Sequence, residues 1–250
     1  MEEGLEGQVR RVDPDRWLAS RLIADADARA TVIAIYALND ELARVGESVT
    51  NPMVGEIRLA WWRERIEAVA AGQPPPGHPV LQALAPAIAS ARLPTALLDA
   101  LVEARHADLD TRPFADDAAL ARYLDGTAGA VMGLAARALD PEAPLRAVVG
   151  AGRAWALAGL FRSRSAWLGR GRDWTPQSWG APPDVDLAAR VTAEVEAALE
   201  RARGELEALP VAAFPAVAYA TLARRHVRGR APGELETRIR LVLASLKGRV

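Results

Sequence analysis

Apolar residues recur at helical spacing along almost the whole chain, and no stretch alternates apolar and polar residues for long enough to make a half-buried strand. That periodicity restricts these 250 residues to an all-α fold. Ile35, Leu38, Leu42 and Val45 fall on one stripe, with Asp40, Glu41, Arg44 and Glu47 largely off it. Leu59, Trp62, Ile66 and Val69 make a second stripe, and Leu97, Leu98, Leu101 and Val102 begin a third. Residues 187–209 read as a long, charged, alanine-rich helix that ends before Pro210, and residues 237–246 as another. Asn51-Pro52 separates two helices, because a residue before proline is pushed out of the α region. Loops are predicted at 72–79 (GQPPPGHP), 139–141 and 174–184. The first helices share one amphipathic pattern with short connections, which predicts a single antiparallel bundle spanning residues 1–250.

Composition excludes several classes. The net charge of −1 gives no whole-chain field for nucleic acid or an anionic membrane. The absence of cysteine removes disulfides, thiol nucleophiles and cysteine-zinc sites, and fits a reducing compartment. The N-terminal MEEGLEGQ is acidic and lacks an apolar centre, unlike a secretion signal. The longest charge-free run, 68–91, contains Pro74, Pro75 and Pro76 and cannot cross a bilayer as a helix. The reading is a cytoplasmic protein with no transmembrane segment.

Three features carry candidate chemistry. The first is the acidic stretch Asp40–Glu47. There Arg44 lies four residues from Asp40 and three from Glu47, so the helix can pair them. The rival reading is a carboxylate cluster holding Mg²⁺ against a diphosphate, since Mg²⁺ often bridges one or two carboxylates to phosphate oxygens. The second is a run from Ala143 to Arg172 with six arginines and no acid. Arg162, Arg164, Arg170 and Arg172 crowd into FRSRSAWLGRGR. This is either a basic surface loop or an anion site, because guanidinium forks match phosphate oxygens. The third is YLDGTAGAVMGLAAR (123–137), whose glycines cost helix stability and suggest tight packing or room for a ligand. His78, His106 and His226 are scattered and are not read as metal ligands. The common zincin, P-loop, nucleophile-elbow and EF-hand motifs are absent.

Taken in order, DPDRWL, YALNDELARV, NPMVGEIRLAWWRE, HADLD, YLDGTAGAVMG and GRDWTP resemble the squalene/phytoene synthase family from about Asp13 to Pro176. The resemblance implies the all-α isoprenoid synthase bundle with a central cavity. Active members join two prenyl diphosphates head to head, with Mg²⁺ held by two aspartate-rich motifs. Here the first motif's three acidic positions fall on Ala43, Arg44 and Glu47. The second motif's positions fall on Ser163 and near Trp167, after the matching Arg162. Asp108 matches an acidic position of the family. The eroded motifs are similar to those of a divergent branch that includes the mitochondrial complex I assembly factor, to which LNDELA (38–43) is also similar.

The resemblance therefore implies a non-catalytic or weakly catalytic protein that binds a prenyl diphosphate-like small molecule or a protein partner. Its sharpest form is a role in assembling a respiratory complex, peripheral to the inner membrane. The alternative is an active Mg²⁺-dependent prenyltransferase making a squalene- or carotenoid-type precursor. A nucleic-acid binder using the arginines is the least favoured reading. The expected anion or partner site is Arg44, Glu47, Asp108, Arg162, Arg164 and Arg172. No catalytic residue, metal or cofactor is expected, with Glu47 the one surviving metal candidate of the first motif and Mg²⁺ required only by the enzyme alternative. Two side-chain expectations follow. Glu47 and Arg162 should face a shared central space, and Arg44 should pair with Asp40 or Glu47.

Overall fold

The computed structural model describes residues 4–49, 51–180, 183–229 and 233–250. Residues 1–3 of the acidic N-terminus and 181–182 of the expected 174–184 loop lie outside the described residues. Thirteen α-helices are present among the described residues, with no strand. They are α1 (Leu5–Val12), α2 (Pro14–Ser20), α3 (Ala26–Ser48), α4 (Pro52–Ala70), α5 (Pro79–Ala89), α6 (Thr95–Ala104) and α7 (Asp117–Leu124). There follow α8 (Ala130–Leu139), α9 (Val149–Arg162), α10 (Arg164–Gly169), α11 (Asp184–Glu205), α12 (Ala223–Val227) and α13 (Glu234–Lys247). Short 3₁₀ turns fill several of the joints, including Arg105–Leu109 and Ala218–Leu222.

Helix starts follow the local chemistry. Asp13 caps α2 by accepting from the Arg16 backbone N–H, with Pro14 in the first turn. Asp25, Asn51 and Asp116 cap α3, α4 and α7 in the same way. Each cap satisfies an amide that the helix leaves unpaired, worth about 1 kcal/mol. The break expected at Asn51-Pro52 is thus a capped helix start. The loop at 72–79 ends where Pro79 opens α5. The helix expected over 187–209 runs Asp184–Glu205, and its last turn tightens to 3₁₀ before Pro210.

The expected stripes are the buried ones. Ile35, Leu38, Leu42 and Val45 on α3, and Leu59, Trp62, Ile66 and Val69 on α4, all enter the core. α3 is the central element, packing against α1, α4, α5, α8 and the 105–109 turn. α9 lies along α11 on the other side. The glycine-rich segment is a π-helical turn at Asp125–Gly129 between α7 and α8. It sits hard against α9, since a Cβ on Gly152 would lie 2.9 Å from the Gly129 Cα. Close packing also explains Gly126, whose added Cβ would meet the Ala104 Cβ at 2.7 Å, and the same turn lends Thr127 and Ala128 to the wall of a cavity.

Candidate functional site

A cavity of about 290 Å³ opens between α2, α3, the 105–109 turn, the π-helical turn and the α9–α10 corner. On α3, Asn39, Ala43, Gly46 and Glu47 line it. These positions are four, seven and eight residues apart and so share one helix face. Gly46 is required at this point. A Cβ there would meet the Asp108 Cβ at 2.7 Å and its carbonyl O at 2.9 Å. Its absence lets the 105–109 turn approach α3 and carry Asp108 to the cavity.

Asp108 is held in a closed set. Arg105 Nη1 donates to Asp108 Oδ2 at 3.0 Å, and Tyr123 Oη donates to Asp108 Oδ1 at 2.7 Å. Arg105 Nη2 donates to Asn39 Oδ1 at 2.7 Å. Arg105, Asp108 and Tyr123 are all buried. Burial, and then the Asp108 charge, push the Tyr123 phenol well above its ordinary pKa, so it stays a donor. Burial pulls Arg105 the other way, but Asp108 and its neighbours more than offset this, and its pKa ends raised.

A second buried cation closes the inner end. Arg16 is 5% exposed and pairs with Asp13 at 3.0 Å. Its guanidinium lies over three rings, 5.2 Å from Tyr219, 5.5 Å from Tyr36 and 5.9 Å from Trp155. Such contacts strengthen when desolvated. Burial pushes the Tyr36 phenol well above its ordinary pKa and raises that of Tyr219. Tyr219 lies close enough to Arg16 and Tyr36 to couple electrostatically with both. Even so, the Tyr36 and Tyr219 hydroxyls and Arg16 Nε make no hydrogen bond of normal geometry.

The α9–α10 corner supplies Arg162, Ser163, Trp167, Arg170 and Arg172. Arg162 Nη1 lies 3.3 Å from His226 Nδ1 and 3.9 Å from Asp15. The other His226 nitrogen meets Asp15 at 2.9 Å. Arg170 reaches Glu47 at 3.7 Å. Arg172 donates to the Gly46 carbonyl at 3.4 Å and has no carboxylate within 4 Å among the described residues.

Of the expected site residues, Glu47, Asp108, Arg162 and Arg172 come together on the cavity, and Glu47 and Arg162 do share it. Arg44 and Arg164 do not. Arg44 points to the other side of α3, pairs with Asp40 at 3.1 Å, and faces a groove against α4 lined by Ile57, Trp61 and Trp62. Arg164 turns outward to Asp184 at 2.7 Å. Each is one residue off a neighbour that does face inward, and a helix turns about 100° per residue. Arg170, part of the arginine run read as a basic loop or an anion site, also lines the cavity, and so do Arg16, Asp13, Asn39, Arg105 and Tyr123, which the expected site did not include. Local signals existed for several of them: Arg170 stands in the arginine run 162–172, and Asp13–Arg16 and Arg105–Asp108 are each three residues apart at helical spacing.

Five arginines and three carboxylates line the cavity, and each carboxylate is engaged: Asp13 by Arg16, Asp108 by Arg105, Glu47 by Arg170. Among the described residues, no three histidines or carboxylates converge as a metal would need.

Comparisons with known proteins agree with this geometry. The model of the squalene/phytoene synthase family matches residues 9–229. The human protein "NADH dehydrogenase (ubiquinone) complex I, assembly factor 6" is 29% identical over 124 residues, half of this chain and 37% of that protein. Its Bos taurus counterpart is 26% identical over the same share. The matched region thus spans little more than a third of these relatives. A crystal structure of a dehydrosqualene synthase in complex with ligand superposes with a TM-score of 0.80 at 15% identity, covering 97% of this chain and 94% of that one. Squalene synthase HpnC from Alicyclobacillus acidocaldarius gives 0.71 at 18% identity, covering 98% and 92%. At such identities the likeness is one of fold, the isoprenoid synthase fold. With the family model matched across residues 9–229 and that fold reproduced over nearly the whole chain, this protein belongs to the squalene/phytoene synthase family.

Proposed function

We propose that this protein is a non-catalytic member of its family, acting in the assembly of a respiratory NADH dehydrogenase complex and holding one anionic, prenyl-type ligand in its arginine-lined cavity. The observation that carries this reading is that the cavity holds five arginines and three carboxylates, of which Asp13 and Asp108 are tied to buried arginines at 3.0 Å, leaving Glu47, 3.7 Å from Arg170, as one loosely held acid. Family chemistry uses Mg²⁺ to neutralise a departing diphosphate, and Mg²⁺ takes oxygen ligands. Ala43, Ser163 and Trp167 line the cavity where the family places acids, and Arg44 points away from it. The residues present do not fit a magnesium cluster. Arginines can hold a diphosphate in its place, but holding ground and transition states equally gives no turnover.

Size supports the same reading. About 290 Å³ lies at the small end of the roughly 300–1,000 Å³ of small-molecule sites, room for one ligand. The assembly role rests on the likeness to the assembly factor 6 relatives over half the chain. Among the described residues no helix is long and apolar enough to cross a membrane, in keeping with a cytoplasmic or peripheral site of action.

The test has two arms. Protein incubated with Mg²⁺ and farnesyl or geranylgeranyl diphosphate should release no pyrophosphate. The variant carrying Ala43→Asp with Arg44→Asp should release none either, because Ser163 and Trp167 still leave the second motif without acids. Turnover by the unaltered protein would establish the prenyltransferase instead. In cells lacking the chain, native gels should show less assembled NADH dehydrogenase complex, and unchanged assembly would remove the second half of the proposal.

A further inference from the structure

The C-terminal helix is apolar on two opposite faces. Thr237, Leu241 and Ala244 of α13 are buried against α2 and the 218–222 turn. On the other side Leu235, Ile239, Val242, Leu243 and Leu246 are all exposed, with Leu235 at 73% and Leu246 at 79%. Leu235, Ile239, Val242 and Leu246 recur at intervals of four, three and four residues, which is one continuous stripe. A helix in water gains nothing from such a stripe unless something covers it.

Charge indicates what covers it. Residues 223–250 carry eight arginines and lysines against two glutamates, in a chain whose net charge is −1. Arg238 lies on one flank of the stripe, with Arg240 and Lys247 on the other. Glu196, Glu234 and Glu236 pair with Arg224, Arg225, Arg228, Arg238 and Arg240, so cations outnumber their partners. Lys247 and Arg249 have no carboxylate within 4 Å among the described residues. The contrast is α4, whose exposed Met53, Ile57 and Trp61 sit on a helix with three acids and three bases, where α13 itself carries three bases and two acids and is followed by Arg249. An aliphatic stripe edged by excess cations matches an anionic lipid surface, with side chains in the acyl boundary and cations at the phosphates.

We infer that the outer face of α13 docks this protein onto an anionic phospholipid bilayer. The helix lies in the plane of the interface and does not cross it. Docking here is independent of what the cavity holds, so its test stands apart from pyrophosphate release.

The full chain is sedimented with phosphatidylcholine vesicles with and without phosphatidylglycerol. Binding is expected only to the anionic vesicles and should weaken at high salt. Ile239→Gln with Leu246→Gln should weaken partitioning about tenfold or more. Lys247→Gln and Arg249→Gln should each weaken it roughly fivefold. Ile57→Gln on α4 should leave it unchanged. These positions are solvent-facing, and circular dichroism melts confirm that each variant folds. No binding to anionic vesicles, equal binding to both vesicle types, or full binding by the double glutamine variant would overturn the inference. So would light scattering that shows a dimer in solution which the double variant dissociates, since the stripe would then be covered by a second copy.

Discussion

The two walls of the cavity use the same residue types in opposite ways. On the wall built by α3, the 105–109 turn and α7, charges form a closed set: Arg105, Asp108, Tyr123 and Asn39 meet at 2.7–3.0 Å and are largely withdrawn from water. At the α9–α10 corner, Arg162, Arg170 and Arg172 reach partners only at 3.3–3.9 Å. There the Arg162 side chain is 54% exposed. A guanidinium with short, buried partners is part of the structure. One with long, wet contacts is free to bind something else.

Cutting the closed wall should do the most damage. Asp108→Ala removes the partner of a buried cation and the acceptor of Tyr123, and should cost about 3–5 kcal/mol of stability in urea unfolding. A loss under about 1 kcal/mol would show that Arg105 readily finds water, and would erase the contrast between the walls.

The corner should answer in binding and not in stability. Arg172→Ala should weaken inorganic pyrophosphate binding, measured by calorimetry without Mg²⁺, by the roughly 1.5–3 kcal/mol typical of a hydrogen bond to a charged group. Its melting temperature should hardly move. Binding that is unchanged, or that appears only with Mg²⁺, would contradict a corner poised for anions.

Alkali separates the buried wall from the open corner in another way. Burial raises the pKa of Tyr36, Tyr123 and Tyr219, which are all the tyrosines of the chain. A phenol whose folded pKa lies above its unfolded value of about 10 contributes stability that is complete below pH 10 and lost above it. The loss should be about 1.4 kcal/mol per pH unit for each tyrosine. Phenolate absorbance should therefore appear only together with unfolding. Early titration of one tyrosine in the folded protein would mark a wall that is open to water.

The smallest effect is expected where the walls touch. Glu47 meets Arg170 at 3.7 Å, and its side chain is 54% exposed. Glu47→Gln should change stability by less than about 1 kcal/mol. A larger loss would place Glu47 with the closed wall.

Much of this molecule was legible in its residues. The stripes through Ile35–Val45 and Leu59–Val69, the stop at Asn51-Pro52 and the end of α11 before Pro210 are local consequences of helical period and of proline, and they stand as read. The absence of acids at Ala43, Arg44, Ser163 and Trp167 is a matter of residue identity, which needs no coordinates. Direction was another matter. Arg44 and Arg164 looked as promising as Arg162 and Arg172, yet they face a groove against α4 and the solvent-exposed Asp184. Arg16 reaches the cavity because aromatic residues from positions 36, 155 and 219 converge on it, and Arg105 because Gly46 lets its turn approach α3. Helix period and residue chemistry act over a few neighbouring positions, so the sequence by itself determined the helices and which positions carry no acid. Which arginine faces inward depends on contacts between residues far apart in the chain, and only the packed helices decided that.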